Sequence, residues 1–161
     1  MRPEMRKWLG LALLIIVLDQ ITKALVVANF QLGEVRTMTS FFDLVFVFNP
    51  GAAFSFLADA GGWQRWFFTA LAFVICGWLF FLLRHHAQER LMPFAISLVM
   101  GGALGNVIDR FAYGAVVDFL SFHIDKYYWP AFNVADSGIT VGAMLIIWCQ
   151  FVPHSSRSPS T

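Results

Sequence analysis

Two aspartates mark the stretch VVDFLSFHIDKYYWPAFNVADSGIT, Asp118 near its start and Asp136 near its end, each among residues that partition into oil. Two carboxylates brought together in a dry site cannot both ionise. One pKa falls, the other rises, and the pair shares a proton. That division makes one a base and the other an acid. The ionised member takes a proton from water, the water attacks a carbonyl, and the neutral member protonates the carbonyl oxygen and then the departing amine. The competing chemistries lack residues. A metalloprotease helix needs H-E-x-x-H, but His85 and His86 are adjacent and so point to different faces, while His123 and His154 are remote singletons. A serine hydrolase needs its nucleophile in a special turn beside a base. Ser121 and His123 are a near pair, without such a turn. Cys76 and Cys149 lie inside apolar runs and read as small packing residues. No metal and no cofactor is expected.

Other polar residues stand where charge is expensive. Asp19 and Lys23 sit deep in an apolar run, where a lone charge costs roughly 2.5–3.5 kcal/mol on insertion scales. They are four apart, so they share a helix face and can pair, either to support a polar site or to bind another helix. Asn106, Asp109 and Arg110 of GGALGNVIDR recur at helical spacing. Asn106 needs a hydrogen-bond partner inside a bilayer, and Arg110 could instead meet lipid phosphate at a helix end. Asn133 and Asp136 are three apart and face the same way, and Asp136 could simply cap a helix start. Gly101 and Gly105 lie on one face and permit close helix approach.

The elements that must position these residues are membrane spans. The chain has 161 residues, 58% hydrophobic and only 13% charged, against about a quarter charged in an average soluble domain. A net charge of +1 gives no reason to expect a nucleic-acid partner. Four segments, about 8–30, 63–83, 91–108 and 131–152, approach the roughly 20 residues a helix needs to cross hydrocarbon. The first is not expected to be a cleavable signal peptide, because WLGLALLIIVL continues into DQITKALVV without a small-residue cleavage site. Residues 1–153 are expected to form one four-helix transmembrane domain, and 154–161 a disordered cytoplasmic tail. Arg2, Arg6, Lys7, Arg84, Arg90 and Arg157 bias the termini and the 84–90 connection towards the cytoplasm. The connections 31–62 and 109–130 then face outward. In the first, FFDLVFVFN favours a strand, and AAFSFLADA reads as a short interfacial helix. The fold class is an all-α membrane protein with a small extracytoplasmic β-containing loop region. Asp43 and Asp125 share these connections and are expected to be bystanders.

GNVIDR, GAVVDF and FNVADSGI resemble the motif blocks of the bacterial lipoprotein signal peptidases, the type II signal peptidases. LDQITK and FNPGAAF resemble that family's earlier blocks, so the similarity covers nearly the whole chain in order. The resemblance implies a monomeric four-helix aspartic protease of the inner membrane, with its site at the outer leaflet. It puts the dyad on Asp118 and Asp136 and the supporting residues on Asp19, Lys23, Asn49, Gly51, Asn106, Asp109, Arg110, Asn133 and Ala135. The implied partners are membrane lipids, globomycin-type inhibitors and prolipoproteins, cut just before a diacylglyceryl-modified cysteine. The aromatic residues from Phe41 to Phe56, with Trp129, would cradle the peptide. From the residues alone, a proton-coupled carrier using Asp19, Lys23 and Asp136 stays open, as does a membrane scaffold.

Overall fold

Apolar side chains in runs of this length leave the backbone one way to satisfy its own hydrogen bonds in hydrocarbon, which is to coil into helices. In the computed structural model, which describes residues 3–51 and 61–151, four helices are long and apolar enough to cross a membrane. They are α1 (Pro3–Asn29), α2 (Gln64–His86), α3 (Leu91–Tyr113) and α4 (Val134–Phe151). The expected interfacial helix over AAFSFLADA and the tail 154–161 lie outside the described residues.

Helix α3 is the central one, packed against α1, α2 and α4, whereas the other three turn Leu, Val, Phe and Trp side chains outward. Glycines let the helices approach. Gly101 abuts Ala12 and Ile15 of α1, and Gly142 of α4 abuts Ala95 and Val99 of α3. Trp8 Nε1 donates to Ala87 O at 3.0 Å, tying the start of α1 to the α2–α3 connection.

Four antiparallel strands sit at one end of the bundle in the order β1 (Val35–Thr39), β2 (Phe42–Asn49), β3 (Val116–Ile124), β4 (Tyr127–Tyr128). The expected strand in FFDLVFVFN is β2. The strand β3 was hidden, because VVDFLSFHI is so apolar that it reads as the margin of a membrane span. Helix α3 therefore runs past the expected boundary to Tyr113. Gly114 stops it in the left-handed conformation (φ 81°), with its N–H on Arg110 O, and the chain turns directly into β3. Side-chain alternation along β3 puts Val117 and Phe119 in a small core with Val26 and Phe46, and turns Asp118 to the opposite face. Asp43 is buried, beside His123 across β2 and β3. Asp125 is exposed at the β3–β4 turn with φ 51°.

Candidate active site

The two aspartates meet through one asparagine. Asn133 is the cap of α4, its Oδ1 accepting from Asp136 N at 2.9 Å. Asp136 returns the bond, its Oδ2 accepting from Asn133 N at 3.3 Å, which closes a reciprocal capping box. The Asn133 amide also reaches across to β3, where its Nδ2 donates to Asp118 Oδ1 at 2.7 Å and to Val117 O at 3.2 Å. Asp136 is therefore both a cap and a member of the site, and the two readings of it were not alternatives. Asn49 Nδ2 donates to Asp118 Oδ2 at 3.0 Å, and Asn106 Nδ2 donates to Asp136 Oδ1 at 2.8 Å. Asn49 Oδ1 accepts in turn from Gly51 N at 3.1 Å, which bends the chain back after β2.

A second polar layer lies beneath. Lys23 Nζ, 2% exposed, contacts Asp109 Oδ2 at 2.7 Å, Asp19 Oδ2 at 2.8 Å and Asn106 Oδ1 at 2.8 Å. Its three protons thus have three acceptors. Asp19 Oδ1 accepts from Ala135 N at 2.9 Å, holding the first turn of α4 against α1, and Asp109 Oδ2 accepts from Val117 N at 3.1 Å, holding the start of β3. Gly105 is needed here because a Cβ on it would stand 2.7 Å from Asp19 Oδ2. Lys23 and its carboxylates thereby fix Asn106 and the backbones that present both aspartates.

Of the expected residues, Arg110 stands apart. It donates to Asn106 O at 3.3 Å and lies over the Phe68 ring, and it borders the cleft without an ion pair to a carboxylate among the described residues. Gln20 was missed. Its Nε2 donates to Asp109 Oδ1 at 2.8 Å, to Gly105 O at 3.2 Å and to Asp19 Oδ2 at 3.2 Å. The available signal was an amide beside Asp19 in an otherwise apolar run.

A cleft of 540 Å³ opens over Asp136, with Asn49, Asn106 and Arg110 in its wall, Trp129 and Phe132 on the sheet side, and Ile139 and Val141 of α4 on the membrane side. Asp118 is 2% exposed. Burial, with the neighbouring charge of Asp136, pushes its pKa up to about 7 against the opposing bonds from Asn49 and Asn133. No group of three His, Cys, Asp or Glu able to hold a metal occurs among the described residues.

A family model described as signal peptidase (SPase) II matches residues 11–152. The chain belongs to the signal peptidase II family. It is 61% identical over 146 residues to the lipoprotein signal peptidase of Azoarcus sp. (strain BH72), covering 91% of this chain and 83% of that one. It is 60% identical over 140 residues to the lipoprotein signal peptidase of Cupriavidus necator, covering 87% and 80%. A bacterial membrane enzyme solved by the in meso method at 2.3 Å superimposes with a TM-score of 0.82 at 32% identity, over 96% of this chain and 93% of that one. A second, solved the same way at 1.9 Å, gives a TM-score of 0.73 at 30% identity, over 92% and 94%. The matched residues include both aspartates and every residue of the Lys23 layer.

Proposed function

We propose that this signal peptidase II is an aspartic endopeptidase of the bacterial inner membrane that removes signal peptides from diacylglyceryl-modified prolipoproteins, cutting just before the lipidated cysteine. What carries the reading is the single Asn133 joining Asp118 and Asp136 beside a cleft with one apolar, membrane-side wall. Asp118 holds the shared proton, favoured by its burial and by the adjacent charge. Asp136 is the ionised member, its oxygens met by the Asn106 amide and the Asn133 N–H at the positive end of α4. Asp136 takes a proton from a water, which attacks the scissile carbonyl, while Asp118 protonates the carbonyl oxygen. On collapse of the tetrahedral intermediate, the pair delivers a proton to the cysteine nitrogen as it leaves. A lipid-anchored bond cannot leave the membrane, so the carboxylates sit at its margin. In this reading both termini are cytoplasmic and the site lies at the outer leaflet. A globomycin-type peptide would occupy the same cleft.

The test uses purified protein in micelles with a lipidated precursor peptide and mass analysis of the products. Asp118→Asn and Asp136→Asn each keep the side-chain shape but cannot exchange a proton, and each should lower turnover by at least the 10²–10⁴-fold typical of general acid–base groups. The double variant should be little worse than either single, because members of a catalytic unit fail together. Appreciable turnover by a single variant, or strictly multiplicative losses in the double, would refute the dyad. Cleavage that depended on an added divalent cation would replace it with metal chemistry.

A further inference from the structure

A second pair of titratable groups lies outside this network. Asp43 on β2 is 3% exposed and stands between Thr37 of β1 and Ser121 of β3. His123 is two residues further along β3, and its Nε2 lies 3.4 Å from Asp43 Oδ2. That is longer than the roughly 2.7–2.9 Å of a closed charge-assisted bond. Asp43 Oδ1 and both His123 ring nitrogens have no hydrogen-bond partner among the described residues. A buried carboxylate oxygen without a donor is costly, and an imidazolium is the donor at hand. Nearby charges are otherwise engaged or exposed. Arg36 of β1 pairs with Glu34, Lys126 in the β3–β4 turn lies over the Tyr127 ring, and Asp125 is exposed.

The pair sits at the root of a wall. The His123 ring stacks on Tyr128 of β4, with centroids 4.8 Å apart at 24°. The next residue, Trp129, donates its backbone N–H to Phe122 O at 2.8 Å. Trp129 and Phe132 line the cleft over Asp136. They also line a second, aromatic cavity of 680 Å³ that includes Phe41, Phe122 and His123 itself. Phe122 lies four residues along β3 from Asp118 on the same face, about 13 Å at the strand rise. The cleft and this groove therefore meet at Trp129 and Phe132.

We propose that His123 and Asp43 form a positioning pair for the substrate. Protonated His123 closes on Asp43 and fixes the β3–β4 hairpin, so that Trp129 holds the precursor polypeptide where cleft and groove meet. The inference deepens the reading above and rests on the precursor being the substrate. The closed pair needs the protonated ring, so it weakens as pH rises.

The experiment measures binding of the fluorescently labelled lipidated precursor peptide by anisotropy in micelles, from pH 5.5 to 8.5. It uses the Asp118→Asn protein, so that turnover does not intervene. Affinity should fall about fivefold across the range, the difference between a charge-assisted and a neutral hydrogen bond. Adding His123→Gln or Asp43→Asn should remove most of that dependence. His123→Phe keeps the stack on Tyr128 but cannot donate, and should bind weakly at every pH. Thermal unfolding checks each variant, and if His123→Phe does not fold, the Gln and Asn variants decide. A flat profile in the parent, or an undiminished slope with His123→Gln, overturns the pair while leaving the peptidase reading intact. No binding at any pH, together with no cleavage by the unmutated protein, sinks both.

Discussion

Lys23→Ala removes a cation with three buried partners and leaves Asp19 and Asp109 facing each other without it. Deleting one partner of a buried ion pair typically costs about 3–5 kcal/mol, because the remaining charge is stranded. Here two carboxylates are stranded, 0% and 1% exposed, so the upper part of that range applies. At about 1.4 kcal/mol per factor of ten, the unfolded population should rise roughly a thousandfold. The thermal midpoint in micelles should drop accordingly. Activity should fall as well, since Asn106 Oδ1 keeps only the longer bond from Asn133 Nδ2 at 3.3 Å and the Asn106 amide is held less firmly towards Asp136. Lys23→Arg keeps the charge, but its larger planar head must fit a space closed at 2.7–2.8 Å on three sides. It should cost only the roughly 1–3 kcal/mol of overpacking. Adding Asp109→Asn to Lys23→Ala should restore part of the stability by removing one stranded charge. If Lys23→Ala melts and cleaves like the parent, the polar layer contributes neither stability nor positioning, and the reasoning fails.

The raised pKa of Asp118 has a defined sign in stability. The folded protein holds a proton up to about pH 7 that the unfolded chain releases near 3.8, so this contribution is full below 3.8 and is lost as pH rises through 7. The stability advantage of Asp118→Asn over the parent should therefore grow from pH 4 to 7 and then level off, as chemical unfolding in micelles would show. The parent's turnover should fall as pH passes about 7, because the general acid loses its proton. Gly105→Ala would push a methyl group onto Asp19 Oδ2 and should lower cleavage at least tenfold, whereas Asp125→Asn at the exposed turn should be silent. Cysteines introduced at Ser40 and Lys126 should react with an impermeant thiol reagent added outside the cell, and one at Gln88 should not. Labelling at Gln88 in intact cells would reverse the orientation.

The four spans were legible because apolar length is a one-dimensional property that the bilayer reads directly. The pairing of Asp19 with Lys23 followed from helical spacing. What Lys23 does was not legible, because Asp109 and Asn106 come from another helix and only packing brings them to the same nitrogen. Strand β3 escaped notice because Val117 and Phe119 face a core against which Leu120 also packs, while Phe122 meets aromatic rings. Both faces are apolar, and the alternation that marks a half-exposed strand is absent. Asp136 showed the reverse difficulty. Its cap was legible from spacing, but nothing in the spacing shows that the capping Asn133 also reaches Asp118, fifteen residues back along the chain.

The backbone around Asp118 is fully spoken for. Asp109 takes Val117 N, Asn133 takes Val117 O, and Phe132 takes the N–H groups of Phe119 and Leu120, while β2 occupies the other edge. Among the described residues, β3 therefore offers an incoming polypeptide no open ladder beside Asp118. Under the proposed reaction, the cut is then registered by the depth of a fatty anchor in the leaflet rather than by pairing of backbones, so the grease a precursor carries is its address.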